Sequence, residues 1–355
     1  MTSIRKRGEE IRQFILQNVE NHPGDIVALT IQKFKLTRQA VYRHIKHLTD
    51  QKALIRSKTG HYELCAKEEW RAEFRISDNP HEDVIWRNEI QKRLGPLPDN
   101  AMSIWQYSFT EMFNNVVDHS GSETVFIRIT KTASSTEINI ADRGIGIFNK
   151  ISEALNLLDE RHAVLELTKG KLTTDPERHT GEGIFFTSRT LDTFGILSGE
   201  VFLSHKYGDD EDWILQNQKP SEGTWISMKL SNNTSRTTKQ VFDRFTSGDT
   251  FGFTKTVVPV RMAQYGDDKL VSRSQAKRLL ERIDRFKLVI FDFKEVEMIG
   301  QAFADEVFRV FANQHPQIEI VAINTNEEVK RMIDKARSVE DNEIGQTPLK
   351  QETLF

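Results

Sequence analysis

Glu111-Met-Phe-Asn-Asn115, Asp142-Arg-Gly144-Ile-Gly146 and Gly181-Glu-Gly183 follow one another through the middle of a 355-residue chain. Around the first, Ala101 to Ser120 reads as one helix. Trp105, Phe109, Met112, Phe113 and Val116 form its apolar stripe, and Gly121 suits its C-terminal cap. Side chains at i and i+4 share a helix face, so Glu111 and Asn115 present a carboxylate and an amide side by side. A carboxylate so placed can take a proton from water, and the amide oxygen can ligate Mg²⁺.

The second and third motifs supply different parts of a nucleotide site. Thr124 to Lys131 and Thr136 to Ala141 read as strands, and the second delivers Asp142 at its end. Gly144 and Gly146 let the backbone bend tightly beside a ligand. An Asp held there can accept a hydrogen bond from the exocyclic amine of adenine and so select adenine over guanine. Gly181-Glu-Gly183 opens an amphipathic helix over Ile184 to Leu191, whose free N–H groups and positive dipole end suit phosphate. Extended runs over Gly195 to Ser204, Trp213 to Asn217 and Gly223 to Leu230 complete a mixed sheet under helices.

The order E-x-x-x-N, D-x-G-x-G, G-x-G resembles the GHKL superfamily of gyrase-type topoisomerases, heat-shock chaperones, histidine kinases, mismatch-repair ATPases and bacterial anti-sigma-factor kinases. The likeness covers residues 81 to 232 and implies a Bergerat-type α/β sandwich that binds ATP and Mg²⁺. By that resemblance Glu111 matches the general base and Asn115 the Mg²⁺ ligand. Asp142 matches the adenine contact, and Gly144, Gly146, Gly181 and Gly183 the nucleotide-contacting turns. Residues 147 to 180 would form a mobile lid over the phosphates, and Asp118 and His119 would be structural. An ordinary histidine kinase is disfavoured. Only 29 residues lie between His81, the one candidate phosphoacceptor, and Glu111, too few for a dimerising helical hairpin. A Glu four residues before the Asn is expected of the hydrolytic and Ser/Thr kinase branches.

Working outward, the N-terminal segment is basic. Residues 1–65 carry 12 Lys and Arg against 6 Asp and Glu, net +6, and the remainder carries 37 against 46, net −9. Such asymmetry marks a candidate nucleic-acid contact. Ile4, Ile11, Phe14, Ile15 and Val19 recur at helical spacing, Asn21 to Asp25 break the pattern, and a second helix runs through Phe34. Thr37 can cap a third, with Val41, Ile45 and Leu48 facing inward and Arg38, Gln39, Tyr42, Arg43 and Lys46 outward. Ala53 to Arg56 and His61 to Leu64, joined by Ser57-Lys58-Thr-Gly60, read as a hairpin. Residues 1–66 resemble the winged helix-turn-helix family, which implies double-stranded DNA as partner, with Lys58 on the wing. A helical protein-interaction module fits the same pattern. His44 and His47 have no third ligand nearby and read as surface or phosphate-facing residues.

Beyond a Ser/Thr/Asn/Gly-rich linker at residues 233–254, built around a short helical piece, strands at Val257 to Arg261, Leu288 to Phe293 and Ile318 to Asn324 alternate with helices at Ser272 to Phe286, Gly300 to Gln314 and Glu327 to Ala336. Residues 255–338 resemble the STAS-like domains found beside bacterial ATP-binding domains, with a polar tail at 339–355 read as disordered. Phosphoregulated antagonists of that kind carry a hydroxyl after the strand; here the stretch is Glu297-Met-Ile-Gly300. A docking module for a protein partner, or a homodimer contact, therefore fits better than a phosphoswitch. Asp292 and Glu295 end the middle strand as a site or as solvated loop carboxylates.

The single cysteine, Cys65, excludes an internal disulfide and disfavours a cysteine zinc site. No apolar run reaches the roughly 18 residues of a membrane span, and a signal-peptide core is missing, so the expected compartment is the cytoplasm. The expectation is an α+β multidomain bacterial DNA-binding regulator switched by Mg²⁺·ATP. An anti-sigma-type Ser/Thr kinase and a DNA-acting clamp ATPase are the alternatives.

Overall fold

The computed structural model describes residues 3–78, 80–172, 180–208, 212–246, 252–264 and 269–343. Three helices come first: α1 (Ser3–Asn18), α2 (Ile26–Phe34) and α3 (Arg38–Asp50). Thr37 caps α3, its hydroxyl accepting from the Ala40 amide at 3.3 Å. A two-stranded antiparallel hairpin, β1 (Leu54–Arg56) with β2 (Tyr62–Leu64), follows. Ile11, Ile15, Val19, Ile26, Val41, Ile45, Leu48, Ala53 and Leu54 bury one another as its core. At the usual 1.5–3 kcal/mol per buried aliphatic side chain, this cluster is what holds three short helices together.

The chain then enters β3 (Glu68–Arg75), which sequence reasoning passed over. Next come α4 (Glu82–Ile85), a π-helical turn, and α5 (Gln91–Leu94). The long α6 (Asp99–His119) buries Trp105, Phe109, Met112, Phe113 and Val116. Strands β4 (Thr124–Lys131) and β5 (Ser135–Asp142) precede α7 (Ile147–Leu155), α8 (Glu160–Lys169) and α9 (Gly183–Thr190). Long strands β6 (Thr193–Lys206) and β7 (Asp212–Ser231) close a five-stranded sheet of order β3-β4-β5-β7-β6, in which β3–β4, β4–β5 and β5–β7 pair antiparallel.

Helix α10 (Thr238–Phe245) is the short helical piece expected within the linker stretch. Beyond it lie β8 (Lys255–Pro259), α11 (Arg273–Leu280), β9 (Leu288–Asp292), α12 (Gln301–Asp305), a π-helical turn, α13 (Ala312–Gln314), β10 (Glu319–Ile323) and α14 (Glu327–Glu343). The three strands form a parallel sheet of order β10-β9-β8. A capping box starts α11, with Ser272 and Gln275 satisfying each other's backbone amides. Helix α14 runs five residues past the expected domain end at 338; residues 344–355, most of the expected tail, lie outside the described residues.

In space the chain divides into two compact units, residues 1–147, 187–208 and 218–238, and residues 148–186, 209–217 and 239–355. Helix α8, expected in a mobile lid, belongs to the second. Every residue from His162 to Lys169 is buried there, because α8 packs on β8 and the turn after it. Residues 173–179 of the expected lid lie outside the described residues. Among the described residues no helix is long and apolar enough to cross a membrane.

Candidate functional site

In the first unit, β5 and α6 converge on Asp142. Its side chain is 5 % exposed, and Oδ1 accepts from the amides of Gly144 at 2.8 Å and Thr224 at 3.3 Å. Burial pushes the carboxyl above its ordinary value, against the opposing pull of those two donors. Thr224 arrives because Ala141 and Trp225 are register partners across β5 and β7. Its hydroxyl accepts in turn from the Ile147 amide at 3.0 Å, so one threonine holds both ends of the Asp142–Ile147 turn.

Close approach explains the glycines. A Cβ on Gly144 would lie 1.9 Å from the Ser120 carbonyl oxygen at the end of α6, and one on Gly223 would lie 2.1 Å from the Asp142 carbonyl oxygen. The Ile145 amide donates to that same Ser120 carbonyl at 2.9 Å, tying the turn to the helix that carries Glu111 and Asn115. Gly146 has φ +82°, beside Ser198, whose hydroxyl donates to the Gly223 carbonyl at 3.0 Å. The result is a glycine-lined turn beside a buried carboxylate whose second oxygen is not used by these two amides.

Glu111 and Asn115 are half-buried on the same face of α6, as are Asn114 and His119 nearby. Gly181 and Gly183 belong to the second unit. Gly181 has φ +73° and stands against the Leu172 backbone, and Gly183 is the first residue of α9. Ser198, Gly223 and Thr224 were missed from sequence. The available signal was Gly223-Thr224 at the head of an alternating strand.

On the N-terminal helices, Arg38, Gln39, Tyr42, Arg43, Lys46 and His47 are all exposed, and so is Lys58 in the hairpin turn. Arg38 donates to the Tyr42 hydroxyl at 3.3 Å and lies over its ring. His44 is half-buried, and burial together with Arg12, His47 and Arg43 holds its imidazole below the usual range. No group of three or more His, Cys, Asp or Glu side chains suited to a metal occurs among the described residues.

In the parallel sheet, Asp292 is buried and serves the turn: Oδ1 accepts from the Lys294 amide at 3.0 Å and from Asn324 Nδ2 at 2.9 Å. Glu295 pairs with Arg261 at 2.6 Å. Both carboxylates are thus partnered within the domain. Gly300 caps α12 and donates to the Leu270 carbonyl at 2.7 Å.

Residues 275–330, from α11 to the start of α14, match the family described as STAS-like domain of unknown function (DUF4325). The C-terminal part of this chain is therefore a STAS-like domain. No curated protein matches the chain.

Proposed function

We propose that this chain binds ATP with Mg²⁺ in a GHKL-type site and uses nucleotide occupancy to switch DNA binding by a winged helix and partner docking by the STAS-like domain. The observation that carries the reading is Asp142. It is a buried carboxylate with one oxygen fixed by two backbone amides, set among glycines that let the main chain close tightly around it. In that reading Asp142 accepts from the adenine amine, and Gly144, Gly146, Gly181 and Gly183 line the nucleotide. Asn115 ligates Mg²⁺, and Glu111 activates the attacking oxygen.

Titration of fluorescent ATP analogues, with ATP, GTP and Mg²⁺ varied, tests this. Mg²⁺-dependent binding that prefers ATP is the expected outcome, and equal affinity for GTP would remove the role of Asp142. Glu111 is half-buried one turn from Asn115, where a carboxylate can activate an attacking oxygen. With γ-labelled ATP, label on protein identifies a kinase and label in solution an ATPase; label in neither leaves a binding switch.

DNA contact is assigned to the exposed α3 face and the hairpin. Arg43→Glu is expected to weaken duplex binding by about tenfold or more and to lower the slope of log affinity against log salt by about two. An unchanged salt slope would instead mark α3 as a protein-facing helix.

A further inference from the structure

The second unit contains a cluster that neither motif reading nor family likeness accounts for. Phe185 and Phe186, two residues into the helix that begins at Gly183, meet α10 and the strand-like stretch after it. Phe186 stacks on Phe242 with centroids 3.9 Å apart, and Phe185 lies 4.9 Å from Phe245 and 4.6 Å from Phe253. Phe253 continues to Phe286, ahead of β9, at 5.3 Å. Beyond their area, aromatic pairs at such separations contribute about 0.5–1.5 kcal/mol each. The chain makes room for the cluster at Gly170, where a Cβ would sit 2.6 Å from the Phe253 ring and φ is +83°.

A second attachment lies alongside. Lys171 Nζ donates to the Arg285 carbonyl at 3.0 Å while Arg285 Nη1 donates to the Lys171 carbonyl at 2.8 Å, a reciprocal clamp. The Lys171 ammonium lies 5.0 Å from the Phe286 centroid and 5.6 Å from that of Phe253. Leu172, the next residue, is the backbone against which Gly181 rests. Phe185 and Phe186 are thus fixed to Phe242, Phe245 and Phe253 by rings, Lys171 is fixed to Arg285 by the clamp, and Gly181 rests on Leu172 between these two attachments.

We propose that Phe253 and Arg285 are positioning residues for the Gly181-Glu-Gly183 turn, so that the C-terminal half of the chain sets the conformation of the segment assigned to the nucleotide phosphates. The proposal rests on the nucleotide reading above but separates from it in its prediction. Adenosine carries no phosphate for the glycine turn to hold, whereas ATP does. Loosening the turn therefore lowers ATP affinity and spares adenosine, which a general loss of stability would not do.

The experiment measures dissociation constants for ATP and adenosine on the full chain with Phe253→Ala, Phe253→Leu and Arg285→Ala. Arg285 is exposed, so its variant keeps the fold even if the Phe253→Ala cavity does not. We expect the ATP-to-adenosine affinity ratio to fall by about tenfold in Phe253→Ala and severalfold in Arg285→Ala, with Phe253→Leu restoring most of it. A ratio unchanged in folded Arg285→Ala and in whichever Phe253 variants fold overturns the positioning role while leaving nucleotide binding intact. Wild-type protein that binds neither ligand overturns the nucleotide reading itself.

Discussion

Asp142→Asn is expected to leave the protein folded, cut ATP affinity by about 10- to 100-fold, and move preference toward guanine nucleotides. The magnitude follows from losing a hydrogen bond to a charged acceptor, about 1.5–3 kcal/mol. The direction follows from the geometry. Both backbone donors, Gly144 and Thr224, point at Oδ1, so an asparagine must keep its own oxygen there. Its NH₂ then takes the place of Oδ2. A donor facing the adenine amine is repulsive, whereas the guanine O6 in the same place is an acceptor.

The pH dependence carries a second signature. Burial raises the Asp142 carboxyl above its ordinary value of 3.8, so the folded protein binds this proton more tightly than the unfolded chain does. ATP affinity should therefore decline on acidification at a higher pH than an ordinary aspartate would give, and Asp142→Asn should lack that acid limb. By the same linkage, the ionised carboxylate costs stability above the unfolded value, so the variant gains on the wild type as pH rises through that window. Isothermal titration across pH and thermal unfolding measure both. Equal ATP and GTP affinities in wild type and variant would remove Asp142 from base recognition.

The largest expected stability effect lies in the second unit, at Lys169. Its ammonium is 1 % exposed and donates to Glu166 Oε1 at 2.6 Å, the Glu281 carbonyl at 2.9 Å and the Arg278 carbonyl at 3.3 Å. Lys169→Met leaves Glu166, 3 % exposed, as a buried carboxylate without its principal partner, at a cost of about 3–5 kcal/mol. Glu166→Leu combined with Lys169→Met should recover most of that loss, since replacing both members of a buried pair is close to neutral. Burial already pushes Glu166 up from 4.5, and the lysine opposes that. In Lys169→Met the folded-state value rises further, so the variant regains stability as pH falls toward the unfolded value and loses it as pH rises. Urea unfolding at several pH values reads this out. A single variant within about 0.5 kcal/mol of wild type would show that the ion pair contributes only register.

Legibility differed by the kind of signal each segment carries. Strand β9 is an apolar run up to Asp292 in the middle of a parallel sheet, and its bounds were readable to within a residue. Strand β3, Glu68-Glu-Trp-Arg-Ala-Glu-Phe-Arg75, was invisible because it is an edge strand with no fully buried residue, and its charges suit a helix as well. Strand β7 reads as two pieces around Gln218-Lys-Pro-Ser-Glu222, since a proline there suggests a break, yet it continues from Asp212 to Ser231. The 233–254 stretch reads as a linker around a short helix because Ser, Thr and Asn dominate its composition, and its aromatic packing was not legible. Phe242, Phe245 and Phe253 find their partners more than fifty residues upstream, at Phe185 and Phe186. In the candidate site, the Asp142 turn was legible from local chemistry. Thr224 was not, since strand register alone brings it there across 82 residues.

Only residues 65–67 separate the N-terminal hairpin from β3, and the junction is reinforced where Lys229 Nζ meets both Glu20 oxygens at 2.6 and 2.7 Å and Ala133 packs on the helical core. Three residues reach about 10 Å at full stretch. The α3 face therefore cannot search for a target on a tether; it has the orientation of the sheet to which it is riveted. A duplex taken up by that face would be held in a fixed orientation to the sheet from the first encounter.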